Sequence, residues 1–455
     1  MSVRLVGAGP SVAARAPFRT KKQIAQEARA TAEPTWSAEA TLGVVMLLVM
    51  ALLRATAKIT YAPNPENSTV GVIAWTLMYG FAAIRLVQMR DRAMPMIRQS
   101  RWLAAFLALQ FVSTAWSLSE MITFKDSIEL IGTTMVGLYY VTRFTLREFL
   151  HIFVVTLTII VISSIVLVFG APARGRMDWG TGAWSGVMAE KNALGAAMAM
   201  SILTMLLMTL TAKRWVTRIF LVGILGGSIL LLAGSNSVTA TIVSMLTVVS
   251  LATLWGIRRK QYGIIIGGVA AVAVAAVVVF GIMGLDLDTI FQALGRSANL
   301  TGRSDLYPQL FIAMHDRPLL GFGYDSFFKT EPLVNYLADF IAVINWIPPH
   351  AHNSFYQIML DTGALGVSIF TVVLLTSFKR AGLMLLNATR AIDLWPLAIL
   401  IFLTLGSYDE TYFAQNNSLE WVIFLAAALY GIRGRPVPVS SRAKRAFRPV
   451  ARITR

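Results

Sequence analysis

Long apolar blocks, separated by short polar loops, fill most of this chain. They fall at roughly 38–57, 70–88, 101–117, 122–141, 149–170, 191–212, 217–234, 238–257, 262–284, 354–378, 394–410 and 417–433. Each approaches the ~20 residues an α-helix needs to cross a hydrocarbon core of about 30 Å. A backbone surrounded by lipid must satisfy its own hydrogen bonds, so the pattern predicts an all-α, polytopic transmembrane helical bundle of about twelve spans. The pattern lapses once, between 285 and 353. The organisation that follows is a basic, disordered arm over 1–36, spans over 37–284, a large polar loop with short interfacial helices over 285–353, spans over 354–433, and a basic tail over 434–455.

Composition agrees with the pattern. Hydrophobic residues make up 56% of the 455 and charged residues 14%, where a soluble protein carries about 25% charged. The formal net charge of +17 would point to nucleic acid only if it formed a patch. It lies instead in alternate loops and at both termini: MRDRAMPMIRQSR, TRFTLRE, AKRWVTR, IRRKQ, FKRAGLMLLNATR and the tail. Loops rich in Lys and Arg stay inside, so both termini are expected in the cytoplasm, with membrane lipid as the partner of this charge and no nucleic acid. Arg54 and Arg85, near the ends of the first two spans, fit snorkelling side chains. With no cysteine in the chain, disulfides, thiolate metal sites and a catalytic thiol are excluded.

The opposite loops then face outward, where positive charge is disfavoured. Arg174, Arg176, Lys191, Arg296, Arg303 and Arg317 lie there nonetheless, and an anionic ligand at the outer membrane–water boundary explains them. Arginines hold diphosphate oxygens bidentately and a lysine adds a point charge. In TGRSDLYPQLFIAMHDRP, a helix is expected from about Ser304, with Leu306, Leu310, Phe311 and Met314 on one face lying apolar side down in the interface. Arg303 opens it, beside free backbone N–H groups that favour an anion.

The segment PPHAHNSFYQIMLDTGALG carries two of the four histidines. Ser354 and Gln357 form a capping-box pattern, which sets His352 just before a helix N-terminus. The positive end of the helix dipole disfavours an imidazolium, so a neutral ring able to take a proton fits a general base there; a plain capping or loop-bonding role fits as well. His350 and Asn353 beside it are candidates for acceptor contacts or loop support. If the segment is extended, His350 and His352 can also point the same way toward a metal, with His315, Asp and Glu the remaining ligand types. No metal and no cofactor is expected. GFG in LLGFGYDSFF reads as a tight turn, since it lacks the strand and helix of a nucleotide loop.

The order of STAWSLSE, AEKNALG, TGRSDLY, RPLLGFGYDSFF and AHNSFYQIMLDTGALG resembles the O-antigen ligase and Wzy-type polysaccharide polymerase family, with the wording of the third and fourth segments similar to the exopolysaccharide-polymerase branch. The resemblance implies a membrane glycosyltransferase acting on undecaprenyl-diphosphate-linked glycans at the periplasmic face of the bacterial inner membrane, without metal or nucleotide sugar. It further implies His352 as the base, and Arg303 with Arg174 and Arg176 as diphosphate ligands. Arg317 stands where many members carry His before Pro-Leu, so its role is open; diphosphate binding is the candidate.

Three readings follow: a polymerase joining lipid-linked repeat units, a ligase passing a finished glycan to lipid A-core, and a transporter. Both enzymes would take a lipid-linked donor and a glycan acceptor, alongside other polysaccharide assembly and export proteins. A transporter should carry ionisable groups or broken helices near the midplane.

Overall fold

The structure, a computed structural model, describes residues 36–53, 69–177, 182–282, 303–330, 336–338, 341 and 347–433. The expected terminal arm and tail, Arg54 and Arg296 lie outside the described residues. The described chain is helical, apart from turns and one isolated bridge between Arg176 and Trp184.

The helices are α1 (Ala38–Leu52), α2 (Thr69–Gln88), α3 (Arg90–Gln99), α4 (Arg101–Val112), α5 (Glu120–Arg143), α6 (Leu146–Gly170), α7 (Lys191–Thr211), α8 (Trp215–Gly234), α9 (Val238–Arg259), α10 (Tyr262–Ile282), α11 (Arg303–Asp316), α12 (Ser354–Asn387), α13 (Trp395–Gly406) and α14 (Leu419–Arg433). Of these, α2, α6, α7, α8, α9 and α12 are long and apolar enough to cross a membrane. The all-α, polytopic expectation is met, with two local corrections. The basic segment after α2 is not a loop but the ten-residue helix α3. The block at 101–117 is a 12-residue helix followed by a 3₁₀ turn over Ser113–Trp116.

Local chemistry sets several boundaries. At the start of α6, Thr145 Oγ1 accepts from Glu148 N–H (3.3 Å) while Glu148 accepts from Thr145 N–H (2.7 Å), a reciprocal cap that satisfies two orphan donors. The core is aromatic: Trp395 and Trp421 are fully buried, and each indole N–H reaches a hydroxyl, Thr204 at 3.0 Å and Thr134 at 2.9 Å. A buried donor left unpaired would cost about 1–3 kcal/mol, so these pairs allow such large rings inside. Arg85 does not merely snorkel. It and Arg143 both donate to Glu39 on α1.

Contacts between loops and helix ends tie the bundle together. At one end Arg380 donates to the Gln99 carbonyl, and Arg258 donates to the Ala388 carbonyl (2.6 Å). At the other, Trp184 N–H donates to the Gly234 carbonyl (2.8 Å) and Asn192 reaches Glu410 (2.7 Å).

Helix α11 starts at Arg303 and buries Leu306, Leu310 and Met314. Its apolar face does not lie bare toward lipid. With Phe322, Phe327, Phe328 and Leu360 it builds a second, smaller core over the N-terminal part of α12. Phe311 departs from the expected face; it is half exposed, and its ring meets Tyr356 edge-on.

Candidate active site

The site rests on a break in α12. Thr362 (φ −138°, ψ 16°) and Gly363 (φ 64°, ψ −163°) leave helical geometry, dividing the helix into Ser354–Asp361 and a longer piece after Gly363. A break within an apolar bundle strands carbonyls before it and N–H groups after it, and both must find partners. The turn at Arg317–Tyr324 supplies them. Phe322 N–H donates to the Leu360 carbonyl (2.7 Å) and Gly323 N–H to that of Asp361 (2.9 Å), while Ala364 N–H donates to Pro318 (2.8 Å) and Leu365 N–H to Leu319 (3.3 Å). Gly363 has a backbone essentially confined to glycine, and a Cβ there would strike Leu319. Gly321 (φ 64°) likewise lies against the Leu360 carbonyl. The tight turn read from GFG is therefore present, and it docks into the break of LDTGALG.

Polar groups fix the same junction. The Asp361 carboxylate accepts from Asp325 N–H (3.1 Å) and from the Gln357 amide (3.0 Å). Lys329 donates to Asp126 (2.9 Å) and Asp325 (2.7 Å). Burial pulls the pKa of this ammonium down, but the two carboxylates outweigh it and the net shift is upward. Burial, reinforced by neighbouring carboxylates, holds the Tyr324 phenol well above its ordinary range, and its O–H donates to the Ala414 carbonyl (2.6 Å).

The short helix Ser354–Asp361 presents its N-terminus to the histidines. The expected Ser354–Gln357 box is not formed. Asn353 is the cap, its side-chain oxygen accepting from Phe355 N–H (2.9 Å) and Tyr356 N–H (3.1 Å). The extended backbone at Asn353 (φ −159°, ψ 119°) suits a cap, and Ser354 is needed elsewhere: its Oγ accepts from Tyr412 N–H (2.9 Å) and Phe413 N–H (3.2 Å) in the α13–α14 connection. Asn353 also donates to the Tyr408 carbonyl (3.1 Å), which ties the cap to the α13–α14 connection.

His352, one position earlier, is buried and left-handed (φ 49°). Such a backbone is uncommon outside glycine, asparagine, aspartate and histidine, and it recurs at functional sites. Its Nδ1 is 3.5 Å from Glu410 Oε2, its ring centroid 4.2 Å from that of His350, and its carbonyl accepts from Tyr307 of α11 (3.2 Å). His350 Nδ1 in turn accepts from His352 N–H (3.2 Å) and lies 3.2 Å from Thr411 Oγ1. The other oxygen of Glu410 accepts from Asn192 in the first turn of α7 (2.7 Å). The first turn of α7 and the segment before α12 are thus linked through Glu410. A cavity of about 110 Å³ opens beside them, lined by His350, Glu410, Asn192, Glu190, Thr411 and Gln415 among others, with no Lys or Arg among the described residues of its wall.

The candidate cations make their described contacts with other elements. Lys191 is half-buried and adjoins Asn192 in sequence. Arg176 is half-buried with its guanidinium 5.7 Å from the Trp184 ring centre, and Arg174 is exposed. Arg317 is exposed; it donates to the Trp116 carbonyl (3.3 Å) and covers the Phe322 ring (5.0 Å). Arg303 is the first residue of α11, one turn before Tyr307, and its side chain lies outside the described residues. His315 is exposed on the same helix. His350, His352 and Glu410 offer ligand atoms all within 4.8 Å of one another, a set of the type that zinc accepts. Glu410 was missed by sequence reasoning. Its signal was present: YDETYFAQNNS places two carboxylates in a loop between apolar blocks.

Fold and site define a polytopic, all-helical membrane protein with a polar centre at one end of the bundle. Residues 224–371 match the O-antigen ligase family model, a stretch that contains His352 and the α12 break and stops before Glu410. The chain is also similar to the exopolysaccharide production protein ExoQ of Rhizobium meliloti (strain 1021), with 26% identity over 288 residues, 61% of this chain and 64% of that protein. The matched region is thus somewhat less than two thirds of that relative's length. The two matches bear out the resemblance to the O-antigen ligase and Wzy-type family.

Proposed function

We propose that this chain is a membrane glycosyltransferase that joins lipid-diphosphate-linked oligosaccharide units into exopolysaccharide or O-antigen at the periplasmic face of the inner membrane. The observation that carries the reading is the Glu410–His352–His350 arrangement at a helix N-terminus, with Glu410 and His352 buried and His350 half-buried. His352 takes the proton from an acceptor-sugar hydroxyl as its oxygen attacks the anomeric carbon of the donor. The bond from that carbon to the diphosphate breaks, and the lipid diphosphate leaves with the electron pair. Glu410 holds the ring through Nδ1 and offsets the positive charge that develops on it, in a site where such interactions are little screened.

The acidic wall of the cavity separates the two substrates. A diphosphate is repelled by Glu190 and Glu410, whereas a hydroxyl-rich acceptor finds hydrogen-bond partners in Asn192, Thr411 and Gln415. The cations are assigned to the diphosphate: Lys191, Arg303, Arg174, Arg176 and Arg317, with Lys191 and Arg303 nearest in chain position to residues that touch the centre.

Replacing His352 with Ala should abolish polymer formation while the protein still inserts in the membrane. Polymer at near-normal yield would sink the assignment of His352 as base. The ligase reading differs only in acceptor, and the match to the O-antigen ligase family model favours it as the ExoQ likeness favours polymer synthesis. Purified protein given lipid-linked repeat units alone should elongate them; turnover only after lipid A-core is added would establish the ligase.

A further inference from the structure

We propose that Gln357 is a positioning residue for the transfer centre: it holds the backbone between His350 and His352 so that the His352 ring stays against Glu410. The proposal rests on the reading of His352 as base, and extends it to a side chain that does not line the cavity beside Glu410.

Gln357 lies one turn after the Asn353 cap and is buried. Its amide is divided between two neighbours. The oxygen accepts from Ala351 N–H (3.0 Å), and the nitrogen donates to Asp361 Oδ1 (3.0 Å) one turn further on, the spacing at which a glutamine and an aspartate share a helix face. An oxygen near a helix N-terminus commonly caps it. That task is already met by Asn353, which takes the N–H groups of Phe355 and Tyr356. The Gln357 oxygen reaches back past the cap to a peptide outside the helix.

That peptide sets the histidine turn. Ala351 is fully buried, and its methyl group can make no directed contact. The next N–H, that of His352, goes to His350 Nδ1 (3.2 Å), and the His352 carbonyl accepts from Tyr307 (3.2 Å). Held at these points, His352 keeps its left-handed backbone (φ 49°), a conformation that persists where its surroundings over-determine it. Relaxation of that turn would swing the ring away from Glu410 Oε2, now 3.5 Å from Nδ1. Gln357 is in turn braced by the helix break, because Asp361 Oδ1 also accepts from Asp325 N–H (3.1 Å). A chain of hydrogen bonds therefore joins the GFGYD turn, through Asp361 and Gln357, to the peptide between the two histidines.

The test uses the full-length protein in detergent. Gln357→Met keeps the volume of the side chain and neither hydrogen bond. Its kcat for elongation should fall about tenfold or more, as misplacement of a catalytic group does, with KM for the lipid-linked donor within about threefold of wild type. Asp361→Asn retains an oxygen for both Asp325 and Gln357, and its kcat should stay near that of wild type. Gln357→Asn, too short to reach both partners, serves if Gln357→Met fails to fold. Position is read without turnover by diethylpyrocarbonate labelling and peptide mass spectrometry. His352 should label several-fold faster in Gln357→Met, while His151 on α6 and His315 on α11 label as in wild type. Unchanged labelling of His352, or equal acceleration at His151, would overturn the proposal. So would faster labelling with kcat unchanged while His352→Ala is inactive. If His352→Ala itself elongates normally, it is the base reading that fails, and labelling alone decides whether Gln357 holds the turn.

Discussion

Replacing Glu410 with Gln tests the transfer centre most directly. The substitution keeps the size of the side chain and the hydrogen bond to Asn192, yet removes the charge. In the structure, Glu410 Oε2 lies 3.5 Å from His352 Nδ1, with about a tenth of each side chain exposed. At an effective dielectric constant of about 20, unit charges at that distance attract by about 5 kcal/mol. That energy counts only in the state where the ring has taken a proton, so it lowers the barrier rather than tightening the resting site. Allowing for a residual amide dipole and solvent access, about half is lost, some 2.5 kcal/mol, or about 70-fold in rate. The assay is elongation of lipid-linked repeat units by purified protein, with kcat and KM measured separately. The loss should fall in kcat, with KM for the donor within about threefold of wild type and the melting temperature preserved. A variant that turns over within threefold of wild type would refute the claim that Glu410 works electrostatically on His352.

Other consequences of the geometry can be checked as readily. Gly363→Ala should destabilise the protein by about 1–3 kcal/mol through its backbone alone, read as a lower melting temperature in detergent; Gly170→Ala, with open space around its Cβ position, should melt like wild type, and equal melting of both variants would show that the break tolerates a side chain. Prolonged treatment with a chelator should leave elongation intact if His350, His352 and Glu410 act as a proton-handling group; loss restored by added zinc would reassign them as ligands. Lys329→Met should lower the melting temperature, because it leaves Asp126 and Asp325 without their cation. The pKa of Lys329 is raised above its ordinary 10.5, so its contribution is fully present below that value and fades only as pH rises through the higher, folded-state value. The gap between variant and wild type should therefore stay constant from about pH 7 to 9, and a gap that closes within that range would contradict the assignment.

Much of the helical framework was legible because membrane spans are written in composition over about 20 residues. Segments whose structure depends on distant partners were not. The helix α3 hides in a run of Arg, Met and Pro that reads as a loop, since its stability comes from packing Ala93 and Met96 into the core. The cap at Asn353 went to Ser354 in sequence because both residue types cap well, and only the bonds from Tyr412 and Phe413 decide between them. His352 could be singled out by its place before a helix, whereas Glu410, 58 positions further on, becomes visible only when the α13–α14 connection folds back onto it. The apolar face of α11 could be read from spacing, but not whether lipid or protein would cover it.

The docking of the Arg317–Tyr324 turn into the broken helix bears on how such proteins can be recombined. A natural plan for changing substrate preference is to graft the whole outward loop of a relative between the flanking spans, cutting near 285 and 353. That cut would divide two halves of one joint, because the amides of Phe322 and Gly323 and the carbonyls of Pro318 and Leu319 complete a span that begins after the cut. A chimera made this way would inherit a foreign plug for its own helix. The permissible junction lies before Arg317, or else beyond Leu365, so that the turn and the break travel together.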